Sequence, residues 1–172
     1  MLIRVRKEQP GDEKAIFDVN FRAFGREAEP VLVDRLRIDC PEGLSLVAED
    51  VENIIGHILF TPARIENGAD STSGMGLAPL AVLPSRQRQG VGSALVRAGL
   101  AQLRTAGVLF VVVLGHPKYY PKFGFEKATK SGIRCEYNNV PDEAFMVLTL
   151  QAGGLDGVHG KAIMRPEFAA AI

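Results

Sequence analysis

The chain has 172 residues, 47% of them hydrophobic, and its 20 basic and 20 acidic side chains leave a formal net charge of +0. That length supports one sizeable core and is short for two, and the balanced charge sets up no global field toward nucleic acid or an anionic membrane. No stretch approaches the roughly twenty apolar residues a bilayer span needs. The start, Met1-Leu2-Ile3-Arg4-Val5-Arg6-Lys7, is too charged for a signal peptide, so a cytoplasmic protein is expected.

Leu2 to Arg6 alternates apolar and basic residues and reads as a half-exposed strand. Pro10-Gly11-Asp12 ends it and offers a cap to a helix whose Ala15, Ile16, Val19, Ala23 and Phe24 share one face. Glu29-Pro30 starts a second helix with Leu32 and Leu36 inward. Cys40 follows it. With Cys135 it fits no metal or redox spacing, so two reduced thiols and no metal site are expected. Ser45 to Glu49 and Ile54 to Ile65 read as strands joined by the acidic turn Asp50-Val51-Glu52-Asn53. Glu66 to Gly74 is polar and glycine-bearing, as a surface loop is. Leu77 to Leu83 is the fourth strand, and Pro79 inside it requires an interrupted ladder, for which a bulge is the natural form.

The segment that follows carries the most information. An apolar run stops at Pro84, and Ser85-Arg86-Gln87-Arg88-Gln89 turns the chain. Gly90 and Gly92 then open a helix marked by Val91, Ala94, Leu95, Ala98 and Ala101 and stopped at Gly107. A strand feeding a glycine-bearing turn and a helix leaves unpaired backbone N–H groups at the positive end of the helix dipole, which is an anion site. Arg86 and Arg88 add charge beside it, and a pyrophosphate is the expected ligand. A dinucleotide turn would carry a third glycine where Leu95 stands, and the Gly-Lys-Ser/Thr ending of a triphosphatase loop is absent. A nicotinamide-dependent reductase therefore fails.

Val108 to Leu114 is a fifth strand, followed by His116-Pro117-Lys118-Tyr119-Tyr120-Pro121-Lys122-Phe123-Gly124-Phe125 and a short helix at Tyr119-Tyr120. Ala144 to Leu150 is a last strand. The tail from Gln151 to Ile172 holds Gly153, Gly154, Gly157 and Gly160, while Phe168 and the alanines suit packing back on the core. An ordered extension is expected, within a single domain over residues 1–172.

Gln87-Arg88-Gln89-Gly90-Val91-Gly92 resembles the acetyl-CoA signature Gln/Arg-x-x-Gly-x-Gly/Ala of the GCN5-related N-acetyltransferases, the GNAT superfamily. Tyr120, three residues before Gly124-Phe125, stands where that family carries a Tyr after its fifth strand. The Tyr-Tyr-Pro-x-Phe-Gly-Phe form resembles a bacterial branch of predicted N-acetyltransferases. The resemblance implies an α/β (α+β layered) fold, with a mixed central sheet, splayed strands four and five, and helices on both faces.

It also implies acetyl-CoA as acyl-donor cosubstrate and transfer to a primary amine by direct attack. The amides of Gln87, Arg88, Gln89, Gly90, Val91, Gly92 and Ser93 would hold the pyrophosphate. The backbone of Leu80, Ala81 and Val82 would pair with the pantetheine, with Gly115, Tyr119 and Lys122 also beside the cofactor. A backbone N–H freed near Leu80 to Val82 would serve the developing oxyanion. Tyr120, a phenol that keeps its proton at neutral pH, would protonate the CoA thiolate. The base is open. Gly76 to Leu83 contains no carboxylate, which leaves His57, His116 or a water chain. The acceptor is open as well: small-molecule amine, peptide N-terminus, lysine or aminoacyl group. Dimerisation is common in the superfamily, and no feature of this sequence decides it. A non-catalytic acyl-CoA-binding sensor or interaction module is the alternative.

Overall fold

The computed structural model describes residues 2–51 and 53–171. Glu52 of the expected acidic turn, Met1 and Ile172 lie outside the described residues. The chain runs β1 (Arg4–Lys7), α1 (Glu13–Phe24), α2 (Ala28–Asp39), β2 (Leu44–Asp50), β3 (Asn53–Asn67) and β4 (Asp70–Val82). It continues with α3 (Val91–Thr105), β5 (Phe110–Leu114), β6 (Glu126–Lys127), β7 (Ile133–Cys135), β8 (Phe145–Thr149) and β9 (Gly160–Ile163). These strands form one mixed α/β sheet in the order β1-β2-β3-β4-β5-β8-β6, with β9 on β3 and β7 on β9. The β4–β5 and β7–β9 pairs are parallel. The chain divides into two compact units, Met1–Phe60 with Ala78–Gly99 and Pro166–Ile172, and Thr61–Leu77 with Leu100–Arg165.

In the first unit β3 sorts its neighbours by side-chain parity, because successive residues of a strand face opposite ways. Gly56 and Phe60 face α3. A Cβ on Gly56 would stand 2.9 Å from both Val91 and Leu95, and one on Gly99 would stand 2.3 Å from the Phe60 ring. Two glycines thus let the helix lie close on the strand. His57 faces the other way and meets Asn20 of α1, so helices cover both faces. Ile16 and Val19 of α1 and Leu32 and Leu36 of α2 are buried as their spacing required, with Val33 buried as well, whereas Phe24 at the end of α1 is 40% exposed. Asp12 does precede α1, but its carboxylate makes no cap bond to the helix. It accepts instead from Arg6 (2.7 Å) and from the Gln9 N–H (2.8 Å).

In the second unit Phe110, Val112, Phe145, Val147, Ile133 and Ala162 form the core. Gly74 is the close approach here, since a Cβ would stand 2.5 Å from the Phe110 ring. Two expectations are corrected. Glu66 to Gly74 is a hairpin, not a loop: both strands run on to a two-residue turn at Gly68-Ala69, and Gly68 takes φ +60°. Glycine at the first position of a two-residue turn is a hairpin signal that a polar-loop reading passes over. The glycine-rich tail also holds a strand. β9 pairs Arg64 with Ile163 and Ile65 with Ala162, and the segment Pro166–Ala170 of the first unit buries Phe168.

Candidate active site

The residues expected at the site follow the ends of β4 and β5. β4 runs through Pro79 to Val82, with the Ala78-Pro79 peptide in the cis form. Its parallel ladder with β5 covers Met75–Leu77 against Val111–Val113 and goes no further.

Beyond β4, a 3-10 turn over Pro84–Arg86 leads to Gln87 and α3. Arg88 and Gly90 both take left-handed backbone, with φ +59° and +87°. Such alternation turns consecutive N–H groups toward one side, the geometry of an anion nest. The first bond of the helix ladder runs from the Ala94 N–H to the Gly90 carbonyl (3.0 Å), so the amides of Gly90, Val91, Gly92 and Ser93 have no intrahelical acceptor. Nothing lies within 4 Å of a Cβ built on Gly90, so a ligand can reach the backbone there. Arg88, Gln89 and Gly90 are exposed, while the Val91 side chain is buried and anchors the helix start.

Side chains stiffen this turn in ways the sequence did not announce. Gln87 Nε2 donates to the Val82 carbonyl at 3.1 Å, and Gln89 Nε2 to the Ser85 carbonyl at 3.0 Å. The Gln87 N–H turns back to the Pro84 carbonyl (3.4 Å), so the row of outward amides begins at Arg88. Arg86 is paired with Asp50 at the end of β2, at 2.5 Å. Of the two arginines expected to add charge, Arg88 is the exposed one.

In the second unit β5 ends at Leu114, and Gly115 donates its N–H to the Ala144 carbonyl at 2.9 Å. The expected helix is a 3-10 turn over Tyr120–Phe123, with Tyr119 at its N-cap. The Tyr120 ring lies on Gly115, where a Cβ would stand 2.4 Å from Tyr120 Cε2. It packs edge-on to Tyr119 (5.1 Å) and Phe125 (5.6 Å). Burial, and then the neighbouring Tyr119, hold the Tyr120 phenol well above its ordinary pKa, so it is a neutral donor at pH 7. Lys122 Nζ, expected beside the cofactor, sits 3.9 Å over the Tyr119 ring in a cation–π contact.

The two candidate histidines differ sharply. His57 is fully buried. Asn20 Nδ2 donates to its Nδ1 at 3.1 Å, so its Nε2 carries the proton toward Ser45 Oγ at 2.9 Å. Ser45 then donates to Glu8, which also receives Arg37. Burial, with Arg37 adding to it, pushes the His57 pKa down to about 3, so the ring is a neutral connector in a polar chain and takes up no proton at neutral pH. His116 is exposed, and its Nδ1 accepts the Lys118 N–H at 3.3 Å, closing the turn after β5.

Neither cysteine is in a disulfide: Cys40 is a buried thiol and Cys135 a half-buried one. Among the described residues no three His, Cys, Asp or Glu side chains gather as a metal site. No helix there is long and apolar enough to cross a membrane.

A strand–turn–helix of this form, with the Tyr turn after the next strand, can be set against known families. The acetyltransferase (GNAT) domain family model matches residues 4–128. The chain belongs to the GNAT family. Among its GNAT relatives is the Escherichia coli (strain K12) N-acetyltransferase YhbS, 39% identical over 161 residues, which are 93% of each protein. Escherichia coli YjhQ is 45% identical over 135 residues, 77% of this chain and 74% of that protein. The crystal structure of Escherichia coli YhbS in complex with CoA matches 97% of this chain and 92% of its own, with TM-score 0.89 and 35% identity. A GNAT acetyltransferase from Brucella melitensis in complex with acetyl-CoA matches 97% and 98%, with TM-score 0.78 and 35% identity. The GNAT fold read from the sequence is therefore the fold observed.

Proposed function

We propose that this chain transfers the acetyl group of acetyl-CoA to a primary amine by direct attack, with Tyr120 as the acid. The observation that carries the reading is the turn into α3. The amides of Gly90, Val91, Gly92 and Ser93 have no intrahelical acceptor, and Gly90 is open to approach. Complexes of the two similar proteins with CoA and acetyl-CoA support the same ligand.

Each residue then has a task. The amides from Arg88 to Ser93 hold the pyrophosphate, with the Arg88 charge beside them. Leu80 and Ala81 offer their backbone to the pantetheine, while the Val82 carbonyl already receives Gln87. The thioester supplies an activated carbonyl, whose C–S bond breaks as the C–N bond forms. The acceptor ammonium first loses one proton to solvent; Tyr120 then gives its proton to the departing sulfur, and a second proton from the attacking nitrogen restores the phenol. A raised pKa suits that task, because the phenol gives up its proton only to a thiolate formed beside it.

Thermal unfolding with acetyl-CoA, with CoA and with a nicotinamide dinucleotide tests this reading. Ligand at about a hundred times its dissociation constant stabilises by about 2.7 kcal/mol, a rise of about 5–10 °C at this size. Shifts with the first two ligands only are expected. No shift with either would overturn the reading. The absence of Asp and Glu from Gly76 to Leu83 favours a second reading, a non-catalytic acyl-CoA-binding module. That module would bind CoA and lose nothing with Tyr120→Phe.

A further inference from the structure

Neither His57 nor His116, nor the stretch from Gly76 to Leu83, supplies a group for the acceptor's charge, but the second unit holds a carboxylate outside the motifs. β7 pairs in parallel with β9, with Cys135 opposite Ala162. The next residue, Glu136, therefore stands beside the chain as it leaves β9, and its Oε1 accepts the Met164 N–H at 2.7 Å. The Met164 side chain reaches Gly76 of β4, where a Cβ would stand 3.7 Å from Met164 Cγ and 3.8 Å from Ala63 Cβ. Gly76 lies opposite Val112, one rung before the last pair of the β4–β5 ladder, Leu77–Val113. The anchor of Glu136 thus rests against the end of that ladder.

Glu136 is half-buried, and among the described residues it forms no ion pair. Two of its neighbours, Cys135 before it in the chain and Met164 whose N–H it accepts, pack on the apolar core. Tyr137 follows it, and the Tyr137 phenol is pushed up to about 12 by burial and by the Glu136 carboxylate, so it stays a neutral donor. A carboxylate partly withdrawn from water, with hydrogen-bond donors but no cation, is complemented by an incoming positive group.

We propose that Glu136, seated by the Met164 N–H over the end of the β4–β5 ladder, binds the cationic group of the amine acceptor. The assignment rests on the acetyltransferase reading and adds to it a substrate class: acceptors that arrive as ammonium ions with an apolar body. Glu136 is then a specificity residue, and the donor is held by other groups.

Calorimetric titration of the CoA-saturated protein with benzylamine and with benzyl alcohol, its neutral counterpart, tests this. Wild type is expected to bind the cation about tenfold more tightly than the alcohol, the size of one charge-assisted contact. Glu136→Gln keeps an acceptor for the Met164 N–H. It is expected to abolish that preference while leaving alcohol binding, CoA affinity and melting temperature unchanged. Glu136→Asp, which keeps the charge, is expected to recover part of the preference. No preference in wild type, or the same preference in Glu136→Gln, would overturn the assignment. If wild type fails to bind CoA, the acetyltransferase reading falls and this one with it. Intact CoA binding with a cation preference indifferent to Glu136 removes this assignment alone.

Discussion

Arg86 and Asp50 form an ion pair of 2.5 Å that ties the turn before α3 to the end of β2. The Asp50 side chain is 11% exposed and that of Arg86 38%, so the pair is partly shielded from solvent. Arg86 therefore fixes the turn rather than offering its charge outward. Asp50→Asn and Arg86→Gln are expected to weaken CoA binding by similar factors, and the double variant by no more than either alone. Calorimetric Kd values for the four proteins check this. Losses that add would mean that Arg86 binds the ligand itself.

Gly99 is where α3 lies on Phe60. A methyl there would stand 2.3 Å from the ring, so the helix or the ring must shift. Gly99→Ala is expected to destabilise the protein by about 1–3 kcal/mol, the ordinary cost of overpacking. Phe60→Leu in the same chain should restore part of the loss. Denaturant unfolding of the single and double variants reads both effects. A Gly99→Ala protein as stable as wild type would contradict this packing.

Gly115 serves Tyr120 in the same way, with a Cβ falling 2.4 Å from Cε2 of the ring. Gly115→Ala is expected to displace the phenol and lower kcat by about tenfold or more, with CoA affinity nearly unchanged. Steady-state kinetics beside a CoA titration separate the two. Unchanged kcat would show that the ring's seat on Gly115 is immaterial to transfer.

His57 gives the protein an acid-sensitive point. In the unfolded chain its pKa is near 6.5, and in the fold burial brings it down to about 3. Between those values the unfolded state binds a proton that the native state does not, so this contribution to stability is lost as pH falls. The loss approaches about 1.4 kcal/mol per pH unit. Replacing His57 by Asn, which does not titrate, should flatten the fall of stability below pH 6.5 by up to one proton. Urea unfolding across that range measures the slope, and identical slopes would show that His57 does not titrate as described.

What the sequence revealed and what it hid have physical causes. The strand, turn and helix from Leu80 to Leu95 are set by local rules: an apolar run, proline, glycines, and a period of 3.6. Local reading finds such segments. β7 and β9 have three and four residues, too few for any period, and exist because each completes another strand's edge. The hairpin at Gly68 was hidden by polar residues that suit an exposed strand as well as a loop. Arg86 was read as charge beside the anion site and Lys122 as a neighbour of the cofactor, because charge is visible in a sequence and its partner is not. Asp50 lies 36 positions before one, and the Tyr119 ring lies three before the other. Glu136 carries no motif at all. Only the register of β7 on β9 sets it beside Met164.

The most direct test of acetyl transfer itself is thiol release from acetyl-CoA by wild type and Tyr120→Phe, with and without a panel of primary amines. CoA affinity is measured on both proteins. Amine-dependent release by wild type is expected, falling about a hundredfold in Tyr120→Phe while CoA binding holds, as the loss of a general acid requires. Equal release by the two proteins, or tight CoA binding with no amine-dependent release from either, would contradict the account.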